Sequence, residues 1–196
     1  MRRMREVHPL TTSVWVRPLR EEGIEPHPGP RLISKNVNGL KSPGRFTELL
    51  NQAAQAHKTI PTYAFCVQEH NGDKDTHSLW ERQAERRRFL WIASYKPKTN
   101  TQLKGTGTAV LIPFDMVEQK DGESPEKARD RVKRSAASDR EGRVCSVRML
   151  IEGTYLRIAS AYAPSKKHDQ RPHFFNAKLA PHITHRTVHM IDANCV

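Results

Sequence analysis

The chain has 196 residues, with 33 Lys and Arg against 21 Asp and Glu, giving a formal net charge of +12. That length suits one domain with a real core, and a hydrophobic share of 36% is lean enough to predict some unstructured chain beside it. Three cysteines without paired spacing exclude a disulfide framework and a cysteine-based zinc site, and no apolar run approaches the ~20 residues of a membrane span.

The excess of positive charge points to a polyanion, and nucleic acid is the leading candidate. Cys66, Cys145 and Cys195 each lie in or beside a strand-like run, so buried, reduced thiols are expected. The start, Met1-Arg2-Arg3-Met4-Arg5, has no apolar stretch behind it and does not read as a signal peptide. The expected location is intracellular, in the nucleus or the cytoplasm.

Residues 1–30 read as a separate basic arm, punctuated by Pro9, Pro18, Pro26, Pro28 and Pro30. Order is expected from Arg31. Residues 32–37 read as a short strand ended by Asn38-Gly39. Ser42-Pro43 reads as a helix start with proline in the first helical position, followed by Phe46, Leu49, Leu50, Ala53 and Ala54 at helical spacing. Residues 63–67 predict a strand cut off by Gln68-Glu69-His70, and 76–88 a polar helix. Residues 89–95 and 108–112 predict strands. The charge-dense stretch 119–140 reads as an exposed loop or a fraying helix. Strands over 143–151 and 155–162 are joined by the hairpin signal Glu152-Gly153-Thr154. A short helix over 174–179 and a strand over 187–191 complete the chain. Alternating strands and helices with one antiparallel hairpin give an α/β or α+β layered domain.

Four strands end in small polar clusters: Asn36-Val37-Asn38, Gln68-Glu69-His70, Tyr162-Ala163-Pro164 and Asp192-Ala193-Asn194. Strand ends in layered α/β folds converge on one face, where ligands bind. Carboxylates and amides gathered there suit a hard cation such as Mg²⁺, which needs only one or two protein carboxylates. Turn chemistry explains any one cluster equally well.

In series, the segments carry more. Ser34-Lys35-Asn36-Val37-Asn38-Gly39-Leu40 resembles the opening motif of the endonuclease/exonuclease/phosphatase superfamily. Phe65-Cys66-Val67-Gln68-Glu69 resembles its metal-binding motif, and Gly107-Thr108-Ala109-Val110-Leu111-Ile112 its central strand. Gly142-Arg143-Val144 with 159–164 resembles its hairpin, and Ile191-Asp192-Ala193-Asn194 its aspartate-x-asparagine motif. The blocks keep the family's order over 31–196 and are most similar to the apurinic-type endonucleases of non-LTR retrotransposons.

The resemblance implies two packed β-sheets flanked by helices, and phosphodiester hydrolysis of DNA with Mg²⁺, or Mn²⁺ in its place. It implies Glu69 and Asn38 as metal ligands, although many members carry an aspartate in place of Asn38. Asn36 would order the site, Asp192 would orient or deprotonate the attacking water, and Tyr162, Asn194 and Arg143 would meet the nucleic acid. A reverse transcriptase region is the partner expected in the same polyprotein. The family's closing half, with a serine-aspartate-histidine motif, would follow Val196. Residues 31–196 therefore read as an incomplete domain with its carboxy-terminal part missing, leaving apolar sheet faces and open edges and weak or no activity alone. The rival readings are a non-catalytic nucleic-acid-binding fragment, a decayed element remnant and a phosphatase of the same superfamily. In the arm, residues 23–30 resemble a ribosome-skipping peptide, with His27 in place of its asparagine.

Five histidines, at 168, 173, 182, 185 and 189, lack the further ligands of a zinc set and read as surface or helix-end residues. Trp80 and Trp91 read as core.

Overall fold

A computed structural model describes residues 31–42, 44–95, 106–164 and 170–193. The arm with its skipping-like segment, Asn194 and Cys195 lie outside these residues.

Two four-stranded sheets pack face to face. The first has the order β1-β2-β4-β3, with β1 (Arg31–Asn36), β2 (Thr62–Gln68), β3 (Phe89–Ser94) and β4 (Thr108–Pro113). The second has the order β5-β6-β7-β8, with β5 (Ala137–Ser138), β6 (Val144–Ile151), β7 (Thr154–Tyr162) and β8 (Thr187–Asp192). In each sheet one pair is parallel, β1 with β2 and β7 with β8, and the other pairs are antiparallel.

The pattern of period two explains the core. Cys66, Val110, Ile112, Cys145, Val147, Met149, Ile158 and Met190 point between the sheets. Cys66 and Cys145 are free and buried. The other face of the first sheet packs on α1 (Arg45–Thr59) and α2 (Lys74–Arg86), through Leu49, Leu50, Phe65, Trp80, Leu111 and Trp91. Phe46 stacks on Trp80 at 5.0 Å and meets Trp91 edge-on at 5.1 Å, the arrangement aromatic quadrupoles favour. Glu152 and Gly153, at φ 49 and 72, form the two-residue turn between β6 and β7.

Four expectations change. Helix α1 starts at Arg45, with Gly44 as its N-cap in the left-handed region (φ 82) and no side-chain cap. Helix α2 starts at Lys74, because the Asp73 carboxylate accepts hydrogen bonds from the Thr76 amide and hydroxyl at 3.0 and 2.7 Å. The charged stretch 119–140 contains a formed helix, α3 (Pro125–Arg134). Ser124 caps it, and Ala128 and Val132, one turn apart, are buried in the core between the sheets. Lys133 ties it to Glu81 and Glu85 of α2. Last, the outer face of the second sheet is mixed rather than apolar, because Ser146, Arg148, Arg157 and His189 stand there among Val144, Leu150, Ala159 and Ala161. Toward the strand ends that face is covered by the distorted helical segment Arg171–His182, whose Phe174 and Leu179 pack on Val144 and Ala161. His182 is buried there, against Ser146 at 3.0 Å, and is not a surface residue.

Candidate active site

Because both edge pairs are parallel, β1 and β2 end together, as do β7 and β8. Asn36 stands opposite Gln68, and Tyr162 opposite Asp192. Packing of the sheets joins the two pairs. The Asn36 amide donates from Nδ2 to Asp192 Oδ2 at 2.8 Å, across 156 residues of sequence. Beneath that contact Gln68, 1% exposed, donates to the hydroxyls of Ser34 and Ser160, both at 3.1 Å. Ser160 in turn donates to the Val67 carbonyl at 3.0 Å. The network is buried and satisfied, so it fixes how the sheets register at this end.

The Asn36 side chain is held at both ends. Its Oδ1 accepts the Asn38 backbone N–H at 2.9 Å, an Asx-turn, so the NH₂ group must face Asp192. Arg45 adds hydrogen bonds to the carbonyls of Val37 and Asn38 at 3.0 and 3.3 Å, tying the start of α1 to the same turn.

Past the ends of the strands the chain stays paired but not extended. Val37 N–H donates to Gln68 O, Gly39 N–H to Glu69 O at 2.7 Å and Leu40 N–H to His70 O at 3.0 Å. On the other side His70 N–H donates to Gly107 O and Asn71 N–H to Thr106 O. Three non-glycine residues here have positive φ: Asn38 at 46, Glu69 at 58 and Asn71 at 56. Asn tolerates this region; Glu does so at a cost of about 1 kcal/mol or more. Strained backbone held by surrounding hydrogen bonds is a mark of functional loops. Here it turns the Glu69 side chain to the surface while its neighbours Gln68 and His70 stay buried.

Glu69 is half-buried, and no described residue gives its carboxylate a hydrogen bond or an ion pair. In a chain of charge +12 that is unexpected for a carboxylate with no task. The oxygen donors gathered at this end are Glu69, Asp192 and the amides of Asn36 and Asn38. Among the described residues no group of three or more His, Cys, Asp or Glu gathers at one point. The set therefore fits a hard cation that keeps much of its water, as Mg²⁺ does, and not a zinc site.

Tyr162 is 3% exposed, so its ring is part of the wall. The Arg143 guanidinium lies 5.8 Å over it and donates to its carbonyl at 3.4 Å, while Tyr162 N–H donates to Arg143 O at 2.9 Å. Tyr162 and the part-buried Arg143, whose Nε lies 3.9 Å from the Glu141 carboxylate, stand together at this point.

Sequence reasoning missed two supports. Asp139 Oδ1 accepts the amides of Arg143 and Val144 at 2.7 and 2.9 Å, which shapes the turn whose Gly142 carbonyl receives Gly107 N–H. His70 is fully buried; its Nδ1 accepts Gly72 N–H at 2.9 Å, so Nε2 carries the proton donated to Ser94 O at 3.0 Å. The run Asp139-Arg140-Glu141-Gly142 was a turn signal; nothing in the sequence marked His70 as buried.

Burial between Trp80 and Trp91 pushes His70 down to about 4. An unfolded histidine titrates near ~6.5, so as pH falls the unfolded state takes up the proton first. The contribution of neutral His70 is complete above about 6.5 and is lost as pH falls toward 4, on the order of 3 kcal/mol in all. Burial lowers His182 and His189 as well, which adds to the same trend. Urea unfolding should show stability falling through this window, with the His70 ring resonances holding their neutral positions at pH values near 6. Titration of that ring at the ordinary value would sink the assignment.

No protein-family model and no curated protein sequence matches the chain. Solved structures do. An endonuclease/exonuclease/phosphatase family protein from Leptotrichia buccalis superposes with a TM-score of 0.51 at 11% identity, covering 85% of this chain and 67% of that one. An AP endonuclease from Archaeoglobus fulgidus gives 0.50 at 16% identity, covering 83% of this chain and 56% of that one. The endonuclease domain of a telomere-specific non-LTR retrotransposon gives 0.48 at 12% identity, covering 85% of this chain and 60% of that one. The chain thus spans between 56% and 67% of the length of these three. The first two likenesses establish the architecture: two packed sheets with helices, the endonuclease/exonuclease/phosphatase fold.

Proposed function

We propose, on the premise of that fold, that Glu69, Asn36 and Asp192 are part of a magnesium-dependent phosphodiesterase site acting on DNA as an endonuclease. The observation that carries this reading is the Glu69 carboxylate, without a counter-charge and held on a positive-φ turn beside the hydrogen-bonded Asn36–Asp192 pair. Phosphodiester hydrolysis needs an in-line water, a base and positive charge on the phosphate oxygens.

In this reading Glu69 is the charged metal ligand and Asn38 offers a neutral oxygen beside it. When bound, Mg²⁺, or Mn²⁺ in its place, supplies positive charge to the phosphate oxygens. Asp192 is aimed by the Asn36 N–H and takes the proton of the attacking water. Arg143 meets the phosphate backbone, with Tyr162 packed beneath it as wall. Asn194, two residues beyond Asp192, is expected to support a phosphate oxygen. The retrotransposon setting, with a reverse transcriptase region in the same polyprotein, rests on the motif series alone.

The test is conversion of supercoiled plasmid to the open-circular form, with Mg²⁺ and with chelator, by this chain and by a longer natural polypeptide containing it. Metal-dependent nicking by either supports the reading. Retention of plasmid in a gel with no nicking by either would replace it with nucleic-acid binding alone, which the charge of +12 favours next.

A further inference from the structure

The second sheet's outer face carries a cluster that the proposed site does not use. Tyr155 is the second residue of β7, and three cations from three separate elements converge on its ring. Arg148 of β6 lies 4.3 Å from the ring centroid, Lys120 of the loop before α3 lies 5.4 Å away, and Arg131 of α3 lies 5.9 Å away. In register Tyr155 faces Leu150, which makes Arg148 its diagonal neighbour on the same face.

Only one carboxylate is committed to these three charges. Glu123 accepts from Arg131 Nε at 3.0 Å and Nη2 at 2.8 Å, and from the Lys120 backbone N–H at 3.0 Å. Arg131 Nη2 also donates to the Glu118 carbonyl, and the Glu118 carboxylate accepts from Gly153 N–H at the neighbouring turn. Neither the Lys120 ammonium nor the Arg148 guanidinium pairs with a carboxylate among the described residues. Arg131 Nη1 is buried with no hydrogen-bond partner. With Arg131 held by Glu123, Lys120 and Arg148 remain as two like charges beside one ring, a repulsion that a bound anion relieves. The ring alone does not offset that repulsion, since an exposed cation–π contact is weak.

The geometry points to a phosphate-binding site formed by Lys120, Arg148 and the Tyr155 hydroxyl, beside the Glu123-paired Arg131. A phosphate group carries several acceptor oxygens, enough to take an ammonium, a guanidinium fork and a phenol O–H at once; a chloride or a single carboxylate does not. The site is separate from the strand ends. Tyr155 and Tyr162 lie seven residues apart on β7, about 23 Å at ~3.3 Å per residue. The phosphate could belong to a nucleic-acid backbone or to a small phosphorylated ligand.

Tyr155 is its own reporter. Its hydrogen bond with Lys120, with Arg131 and Arg148 nearby, holds the phenol below the ordinary tyrosine value. A bound phosphate offsets those cations and moves the phenol back up. The experiment is a titration of the ¹³C-tyrosine-labelled chain by NMR, with the Tyr155 signal assigned from Tyr155→Phe. The probes are inorganic phosphate and a short single-stranded oligonucleotide. Expected is a saturable shift of the Tyr155 ring signal, weakened about tenfold by Arg148→Gln and again by Lys120→Gln, the scale of one charge-assisted hydrogen bond. Both residues are exposed, so far-UV circular dichroism should be unchanged in both variants. Saturation by oligonucleotide below the phosphate concentration needed assigns the site to nucleic acid; saturation by phosphate alone assigns it to a small ligand. No Tyr155 shift with either probe, or a shift unchanged in both variants, overturns the proposal. Plasmid nicking and its Glu69 dependence are read separately and stand or fall by themselves.

Discussion

Glu69→Gln should abolish magnesium-dependent nicking, by about a hundredfold or more, while leaving the fold intact. Gln keeps the length and shape of Glu, and the backbone bonds that fix this turn, Gly39 N–H to Glu69 O and Leu40 N–H to His70 O, do not involve the side chain. Both residues meet the same backbone strain at φ 58, so stability should change by no more than a few tenths of a kcal/mol. What changes is charge. Loss of a single preorganised electrostatic contact at a phosphoryl or acyl centre costs about 10²–10³ in rate, and Glu69 is the one site carboxylate to which no described residue offers a partner. Asp192 cannot simply take over, since Asn36 holds it. The measurement pairs nicking rates with Mn²⁺ affinity by electron paramagnetic resonance. Affinity and nicking should fall together. Full activity with unchanged Mn²⁺ affinity would mean that Glu69 is not the ligand.

The candidate site was legible in pieces and not as a whole. Each polar cluster after an apolar run is visible locally, because a strand must end where hydrophobic alternation stops. That Asn36 touches Asp192 is not visible, because 156 residues and the packing of two sheets lie between them. Only the order of motifs suggested it. The Asn36–Asn38 turn shows why local reading is ambiguous: Asn38 sits at φ 46, where turn chemistry alone selects Asn, so its presence does not argue for a metal.

Elsewhere local composition misled where a few buried atoms decided the outcome. Stretch 119–140 is charged throughout, yet Ala128 and Val132 at helical spacing, a Ser124 cap and ion pairs to α2 suffice for a packed helix. His70 reads as one more polar residue at a strand end, but two nitrogens satisfied by backbone and two tryptophan faces make it core. His182 follows the same logic on the opposite sheet. In contrast the sheet strands, the hairpin at Glu152-Gly153 and the tryptophan core were readable, because period-two burial and a two-residue turn leave direct marks in the sequence.

Gly107 links these observations, and Gly107→Ala should be the most damaging single-methyl change near the site. Gly107 sits at φ +91, a region closed to most L residues. An added Cβ would meet His70 Cε1 at 2.5 Å, Nδ1 at 2.6 Å and Nε2 at 2.8 Å. The ring has nowhere to go, since both nitrogens are bonded and Trp80 and Trp91 lie against it, each at 5.7 Å. Strain and overpacking each contribute roughly 1–3 kcal/mol, so a loss of about 2–6 kcal/mol is expected, a large share of a typical stability of ~5–15. Relief would come from separating residues 106–107 from 70–71, and those backbone bonds hold the turn that presents Glu69. Mn²⁺ affinity should therefore fall along with stability. Gly122→Ala is the control: it shares the positive φ, at +72, but has nothing within 4 Å, so only the ~1 kcal/mol strain remains. Urea unfolding of both variants separates strain from contact. A Gly107 variant no less stable than the Gly122 variant would mean that the His70 ring yields, and that the Glu69 turn is held by something other than this contact.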